Sequence, residues 1–422
     1  MDKPEIVYST RRTAIIVIIL FCLISLFGEM VSKSRMNSEW AYLSALDAPV
    51  NSYANITGYG ILLLIALYVV VGITLDKTRK HWRFIFAGCG MLALAPLLGI
   101  ITYRPAILAI MIISNLSLAL RNPVLDKIFS YAADNAGGKI GFGFVFGIQG
   151  ALNRFASLLS AILLALSFFI IKFLNSNNKF AVYQTVFKLL FIPIILMMIV
   201  IIVVYRIAHK EKFLDVKDTP DADEEKIKPE FWTYAAFIFI SSIGFTPLTH
   251  IMYYFRDNAN IAKDGLSFYS NFALVVYGIF EIPIGMVYDY IKRKTGNKLS
   301  GFSMLMFIPI ASVVIPFLTL GGSNILFIVG LILYGVLQAA RGIIMRSSIA
   351  DLTPLQKRGT GYGVYYAVTG ITDGFGPFFL MLIWDNFGIP VMQIVIVAVQ
   401  ALAMALFFRM RMQMKINMAA PQ

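Results

Sequence analysis

Twelve stretches of this chain are each long and apolar enough to cross a lipid bilayer, and that decides what it can fold into. A helix needs roughly 20 mainly apolar residues to span the hydrocarbon core. The qualifying stretches are approximately 13–32, 55–75, 82–102, 105–131, 139–171 and 181–207, then 231–255, 267–290, 299–319, 324–350, 359–384 and 389–408. In lipid every backbone N–H and C=O must be satisfied inside the protein, which leaves helices and closed barrels. These runs are too long for barrel strands and lack their period-two alternation. The expected fold is an all-α polytopic membrane protein of about 12 transmembrane helices.

Charge supports the same class. Of 422 residues only 14% are charged and 59% are hydrophobic, against about 25% charged in a soluble domain. A net charge of +13 would suit nucleic acid if it were gathered into a domain. Instead the Lys and Arg residues lie in the short gaps between apolar runs, so nucleic acid is excluded as a partner. Gaps on one side carry Lys77, Arg79, Lys80 and Arg83, Lys292, Arg293 and Lys294, and Lys357 and Arg358, with Arg409, Arg411 and Lys415 in the tail. Gaps on the other side carry only Lys33, Arg35, Arg104, Lys172, Lys179, Arg256 and Lys263. By the positive-inside rule both termini are expected in the cytoplasm of a cell whose plasma or inner membrane holds the chain. The first run follows Arg11 and Arg12 like a signal peptide, but no small-residue cleavage site follows and Glu29 and Lys33 interrupt its end. It is read as a spanning helix. Cys22 and Cys89 sit in apolar runs and outline neither a disulfide framework nor a metal site.

The one extended hydrophilic stretch, AHKEKFLDVKDTPDADEEKIKPE (208–230), mixes both charge signs and lacks apolar periodicity. It reads as a solvated cytoplasmic linker between an N-terminal bundle of six helices (1–207) and a C-terminal one (231–422). The two parts echo each other. LRNPVLDKIFSYAADNAGGKIGFGFVFGIQG (120–150) and ARGIIMRSSIADLTPLQKRGTGYGVYYAVTG (340–370) superpose without a gap, placing Arg121 on Arg341, Gly141 on Gly361, Gly143 on Gly363 and Gly150 on Gly370. GITLDKTRK (72–80) and GMVYDYIKR (285–293) pair Gly72 with Gly285, Asp76 with Asp289, and Arg79 with Lys292. Both matches fall in the same order on either side of the linker, which points to duplication.

Parallel six-helix repeats form a transporter architecture. On these residues the chain resembles the major facilitator superfamily over nearly its whole length. Gly-x-x-x-Asp followed by basic residues is similar to that family's loop signature after its second helix. The signature's later glycine is replaced here by Arg79, and by Lys292 in the second copy. The resemblance implies two pseudo-symmetric six-helix bundles, a functional monomer, and a cytoplasmic gate at Asp76, Arg79 and Lys80. The repeat extends that gate to Asp289, Lys292 and Arg293. Physically, a carboxylate at a helix end can cap a neighbouring helix or pair with Arg or Lys in one conformation and lose that contact in another. The alternative is a solvated basic loop that only sets topology.

Charges inside spans are the other candidates, because each costs at least roughly 2.5 kcal/mol in lipid and must face a cavity or a partner. Arg154 and Asp373 lie near the midplane, and Asn153 is the repeat mate of Asp373. Arg121 and Arg341 could bind an anionic solute, or pair with Asp126 or Asp351. Glu29 could carry a proton, or pair with Lys33 one turn on. His250, among Thr249, Tyr253 and Tyr254, reads as a packing residue.

No phosphate-cradling loop, zinc-protease motif or nucleophile elbow is present, and three histidines offer little for a metal. The expectation is therefore a transporter and not an enzyme, with no cofactor or metal. It would move a small solute, with a lean toward an organic anion, by alternating access coupled to protons. A non-transporting sensor of the same fold and a lipid-modifying membrane enzyme are the competing readings.

Overall fold

The computed structural model describes residues 11–46, 50–136, 140–173, 179–211, 213, 226–258, 263–296 and 300–419. Thirteen α-helices are described: α1 (Arg11–Ala45), α2 (Val50–Thr78), α3 (His81–Leu92), α4 (Arg104–Asn135), α5 (Phe142–Phe173), α6 (Lys179–Leu189), α7 (Phe191–Lys210), α8 (Pro229–Ile243), α9 (Leu248–Asn258), α10 (Lys263–Thr295), α11 (Phe307–Thr319), α12 (Asn324–Leu352) and α13 (Arg358–Ala419). Among the described residues eleven helical stretches have the length and hydropathy of membrane spans. The last runs for 61 residues, Leu355–Lys415, enough for two spans of roughly 20 residues or more each. It is broken at Gly388, whose φ of 80° and ψ of 172° lie outside any helix. Only glycine enters that region readily, and Pro390 follows it. Its two arms bring the number of crossings to twelve.

Several spans are helices in two pieces. α6 and α7 meet at Leu190, and α8 and α9 at Gly244–Pro247, where the Gly-x-x-Pro run stops one helix and starts the next. α4 and α8 each begin with proline in the first turn, where the missing N–H costs nothing. α7 is apolar on every side. Met197, Ile201 and Val204 are buried, while Ile192, Ile195, Ile199 and Ile202 stand exposed at helical spacing. An all-round apolar helix of this kind suits lipid on its outer face.

The chain forms two units, one of residues 1–140 and 152–224, the other of 141–151 and 225–422. In the first, α1 packs against α4, α6 and α7, and α4 also against α2 and α3. Tyr42 anchors it, stacked on Phe180 and donating to the Leu98 carbonyl at 2.6 Å. In the second, α12 packs against α10 and α11, and α8 against α13. Tyr234 of α8 donates to the Met345 carbonyl at 2.7 Å, and Phe255 stacks on Phe327. Most of the 208–230 linker lies outside the described residues, although α7 and α8 end and begin at its borders.

One sequence expectation needs correction. The first span does not stop near residue 32: α1 continues to Ala45, so Lys33 and Arg35 are helical and not part of a loop. Arg35 is fully buried, bonded to Glu39 one turn on and to Asn115 of α4. The polar residues Ser32, Ser34, Ser38 and Glu39, all buried, lower the hydropathy of this stretch without ending the helix. Hydropathy therefore placed the boundary where the partner became polar, not where the helix ends.

Candidate functional site

The charged residues assemble into two kinds of cluster, one deep in the helices and one at the basic ends of α2 and α10. In the first unit, Arg121 of α4 is 1% exposed and bonds the Glu29 carboxylate of α1 at 2.9 Å. The partner of Glu29 is therefore Arg121, not Lys33. A buried guanidinium needs such a counter-charge, since losing one member leaves the other uncompensated in low dielectric. Space for it comes from Gly28, where any Cβ would coincide with the Arg121 guanidinium. One turn before, Ser25 donates to Asn153 of α5 at 2.9 Å. Arg154, next along α5, is half-buried.

The second unit holds the repeat mate, Arg341 of α12, differently. Its guanidinium lies 4.4 Å from the centre of the Phe245 ring, donates to the Ser242 hydroxyl at 3.0 Å, and stands 4.0 Å from the Asp373 carboxylate. The Asp373 side chain is 72% exposed although it sits far from either end of its helical arm. A shift of 216 aligns Ile24, Ser25, Gly28 and Glu29 with Ile240, Ser241, Gly244 and Phe245. The position that gives Arg121 a carboxylate thus gives Arg341 an aromatic face, and the acid moves to the mate of Asn153.

At the basic end, Asp76 of α2 is buried and bonds Lys127 of α4 at 2.6 Å. Arg79, half-buried in the α2–α3 turn, has φ +53°. That is the left-handed region glycine favours, and it is the position at which the loop signature carries glycine. Lys80 is exposed. In the second unit α10 runs on past the equivalent point, and the positive φ falls later, at Gly296. Lys292 therefore stays helical and pairs with Asp351, which also accepts from the Tyr288 hydroxyl at 2.8 Å. Arg293 is exposed and donates weakly to the Asp289 carbonyl, at 3.4 Å.

The Asp289 side chain is buried and turned to the start of α5. It accepts from the Gly143 N–H at 3.0 Å and the Phe144 N–H at 2.8 Å. Those N–H groups have no partner within their own helix, and a carboxylate there also meets the positive end of the dipole. Glycine at 143 and 285 lets the backbones touch, since a Cβ on either would collide with the other's carbonyl. Around this cap, Lys292 and Arg358 lie over the Phe142 ring at 4.6 and 5.0 Å, and Arg346 donates to Gln149 at 2.7 Å.

Residues not foreseen as site members are Phe245, Lys127, Asp351 as partner of Lys292, and the buried Arg35, Glu39 and Asn115. Phe245 carries no charge to flag it, and only alignment to Glu29 reveals its place. Lys127 falls within the fourth apolar run, 105–131. Its setting in LDKIFSYAA, apolar on both sides, marks it as a buried charge.

The family model for the Major Facilitator Superfamily matches residues 14–377 and 237–417. An uncharacterised protein of Mycobacterium tuberculosis is 22% identical over 394 residues, which cover 92% of this chain and 91% of that one. Among solved structures, a bacterial homologue of the iron transporter ferroportin in an outward-facing state aligns with TM-score 0.66 and 12% identity. It covers 94% of this chain and 99% of that one. The transporter FucP in an outward conformation aligns equally well, with the same identity and coverage. XylE, a proton:xylose symporter, aligns with TM-score 0.59 and 13% identity over 95% of this chain and 96% of that one. At these identities the structures establish a shared fold.

Proposed function

Since the chain belongs to the major facilitator superfamily, we propose that this transporter is a secondary active one, moving a small anionic solute together with a proton by alternating access. The observation that carries the reading is Asp373: a carboxylate within a span, open to its surroundings, beside a guanidinium that is almost wholly buried. A charge at that depth faces a hydrated cavity in preference to lipid. When Asp373 is ionised it neutralises Arg341. When it takes a proton, Arg341 is left with an unmatched positive charge, held by the Ser242 hydroxyl and the Phe245 ring. A solute carboxylate or phosphate can then supply the missing charge. Proton and anion thereby favour each other's binding, which is the thermodynamic requirement for coupling. Arg121 does not offer the same opening, because Glu29 occupies it. The Asp289 cap on α5 supports a gating role for that carboxylate at the cytoplasmic side, with Lys292 and Arg293 flanking it. Asp76 with Lys127 supports a structural role at its repeat position.

The test is transport by purified protein in liposomes with an internal pH dye, using a pool of small organic acids under an imposed pH gradient. The wild type should acidify the lumen only when a transported acid is present. Asp373→Asn should abolish solute-dependent proton movement while solute exchange across the membrane persists. Proton movement that survives Asp373→Asn removes this carboxylate from the coupling step. Flux that follows sodium, or a response to neutral solutes and to no acid, overturns proton–anion symport.

A further inference from the structure

Where α10 ends, the turn at residues 300–306 and the last turns of α13 enclose a cavity of about 410 Å³ within the second unit. That volume falls in the range of roughly 300–1,000 Å³ typical of small-molecule sites. Phe302, Phe407, Met410 and Met414 are buried and form an apolar floor. Arg411 and Lys415, both exposed, stand on its rim. Residues 407, 410, 411, 414 and 415 recur at three- and four-residue spacing, so one face of α13 presents both the floor and the two cations.

The cations on the cavity rim lie in segments poor in acid. Neither residues 290–324 nor residues 386–422 contain an Asp or Glu, and no ion pair neutralises Arg411 or Lys415 among the described residues. The hydroxyls of Thr295 and Ser300 already donate to the Ile291 carbonyl, and that of Ser303 to the Ser300 carbonyl. The free donors are thus the two cations. Beside the cavity on α13, Phe408 and Met412 expose apolar side chains, 48% and 64%.

We infer that this cavity binds the head group of an anionic phospholipid, with the phosphodiester on Arg411 and Lys415 and the acyl chains along the exposed face of α13. Basic pockets between membrane helices hold such head groups through charge, and each Lys or Arg near the surface adds about fivefold to binding. A bare phosphate would use the cations and leave the apolar floor and flank wet. A neutral lipid would leave the cations unmatched. The inference is independent of the transport reading.

The experiment is native mass spectrometry of the full chain in detergent, titrated with phosphatidylglycerol or phosphatidylcholine of identical acyl chains. The wild type should hold one phosphatidylglycerol at least tenfold more tightly than phosphatidylcholine. Arg411→Gln with Lys415→Gln should erase that preference, whereas Lys294→Gln with Arg409→Gln, an equal loss of charge at residues that do not line the cavity, should preserve it. Ser303→Phe, which fills the cavity and leaves every charge in place, should also weaken phosphatidylglycerol, and it answers for any failure of the double variant to fold. Equal retention of the two lipids by the wild type, or equal loss in both double variants, overturns the site. Displacement of bound lipid by millimolar glycerol 3-phosphate would make it a phosphate site, and would likewise overturn the lipid assignment.

Discussion

The two units carry the same arginine and neutralise it in opposite ways. Arg121 is locked to Glu29 by a direct bond, with no room left by Gly28 for anything but the guanidinium. Arg341 is held by a ring, a hydroxyl and a carboxylate at the limit of ion-pair distance, and that carboxylate is open. The repeat presents two matching frames, and differences at two positions, Glu29 against Phe245 and Asn153 against Asp373, leave one arginine in a closed pair and the other beside an open acid. A buried pair with no spare access contributes stability and order. On the proposed reading, an exposed acid beside a buried base contributes a charge that solute and proton can contest.

The sharpest way to break this contrast is at the glycine each frame shares. Gly28→Ala would push the Arg121 guanidinium off Glu29, adding overpacking to a broken buried pair, a loss of roughly 4 kcal/mol or more. At the mate, Gly244→Ala, the added methyl meets Gln400 and Val399 side-chain ends at 2.7 and 2.9 Å. Those can shift, so about 1–3 kcal/mol is expected. Thermal unfolding of the purified variants reads the difference, and equal losses would mean that the Arg121 pair is no more rigid than the Arg341 cluster. Next in size are the arginines themselves. Arg121→Met should cost about 3–5 kcal/mol by stranding Glu29, and adding Glu29→Gln should restore most of it. Arg341→Met strands only an acid already open to its surroundings and should cost about 1 kcal/mol or less, yet abolish solute flux in the liposome assay. A stable, transporting Arg341→Met protein would remove the responsive half of the contrast.

How much of this was readable beforehand depends on what the signal rests on. Length and hydropathy carry the spans, because lipid leaves the backbone no other option, and the crossings match the runs apart from the end of α1. The repeat was legible because glycines and arginines stand at constant offsets. Partners were not legible. Glu29 had a lysine at the favoured spacing on its own helix, and nothing in a one-dimensional pattern says that α4 brings Arg121 closer than α1 brings Lys33. For Asp289 the sequence left two roles open, capping a neighbouring helix or pairing with Lys or Arg, and could not say which helix; the fold takes the first, with two backbone N–H groups of α5. Backbone donors carry no residue identity, so no motif announces them.

At the basic end the contrast between units is smaller and can be sharpened in the same way. Lys127→Met leaves the buried Asp76 carboxylate without its ammonium, and should cost about 2–3 kcal/mol. Lys292→Met leaves Asp351 with the Tyr288 hydroxyl still donating, and Lys292 is itself 22% exposed. About 1–2 kcal/mol is expected there, and a reversed order in unfolding midpoints would show that the second unit leans on its ion pair more than the first.

The smallest effect is the most specific to backbone geometry. Both units end the helix that carries these charges with a residue at positive φ, but the first uses Arg79 at +53° and the second Gly296 at +64°. A side chain in that region costs roughly 1–2 kcal/mol relative to glycine, so the two substitutions should move stability in opposite directions. Arg79→Gly should raise the unfolding free energy by about 1 kcal/mol, and Gly296→Ala should lower it by a similar amount, because nothing lies within 4 Å of the added methyl and only the backbone objects. If Arg79→Gly instead destabilises, the contacts of the half-buried Arg79 side chain outweigh the strain. The arginine would then be held in place for what it touches, which is the behaviour a gate residue must have and a topology marker need not.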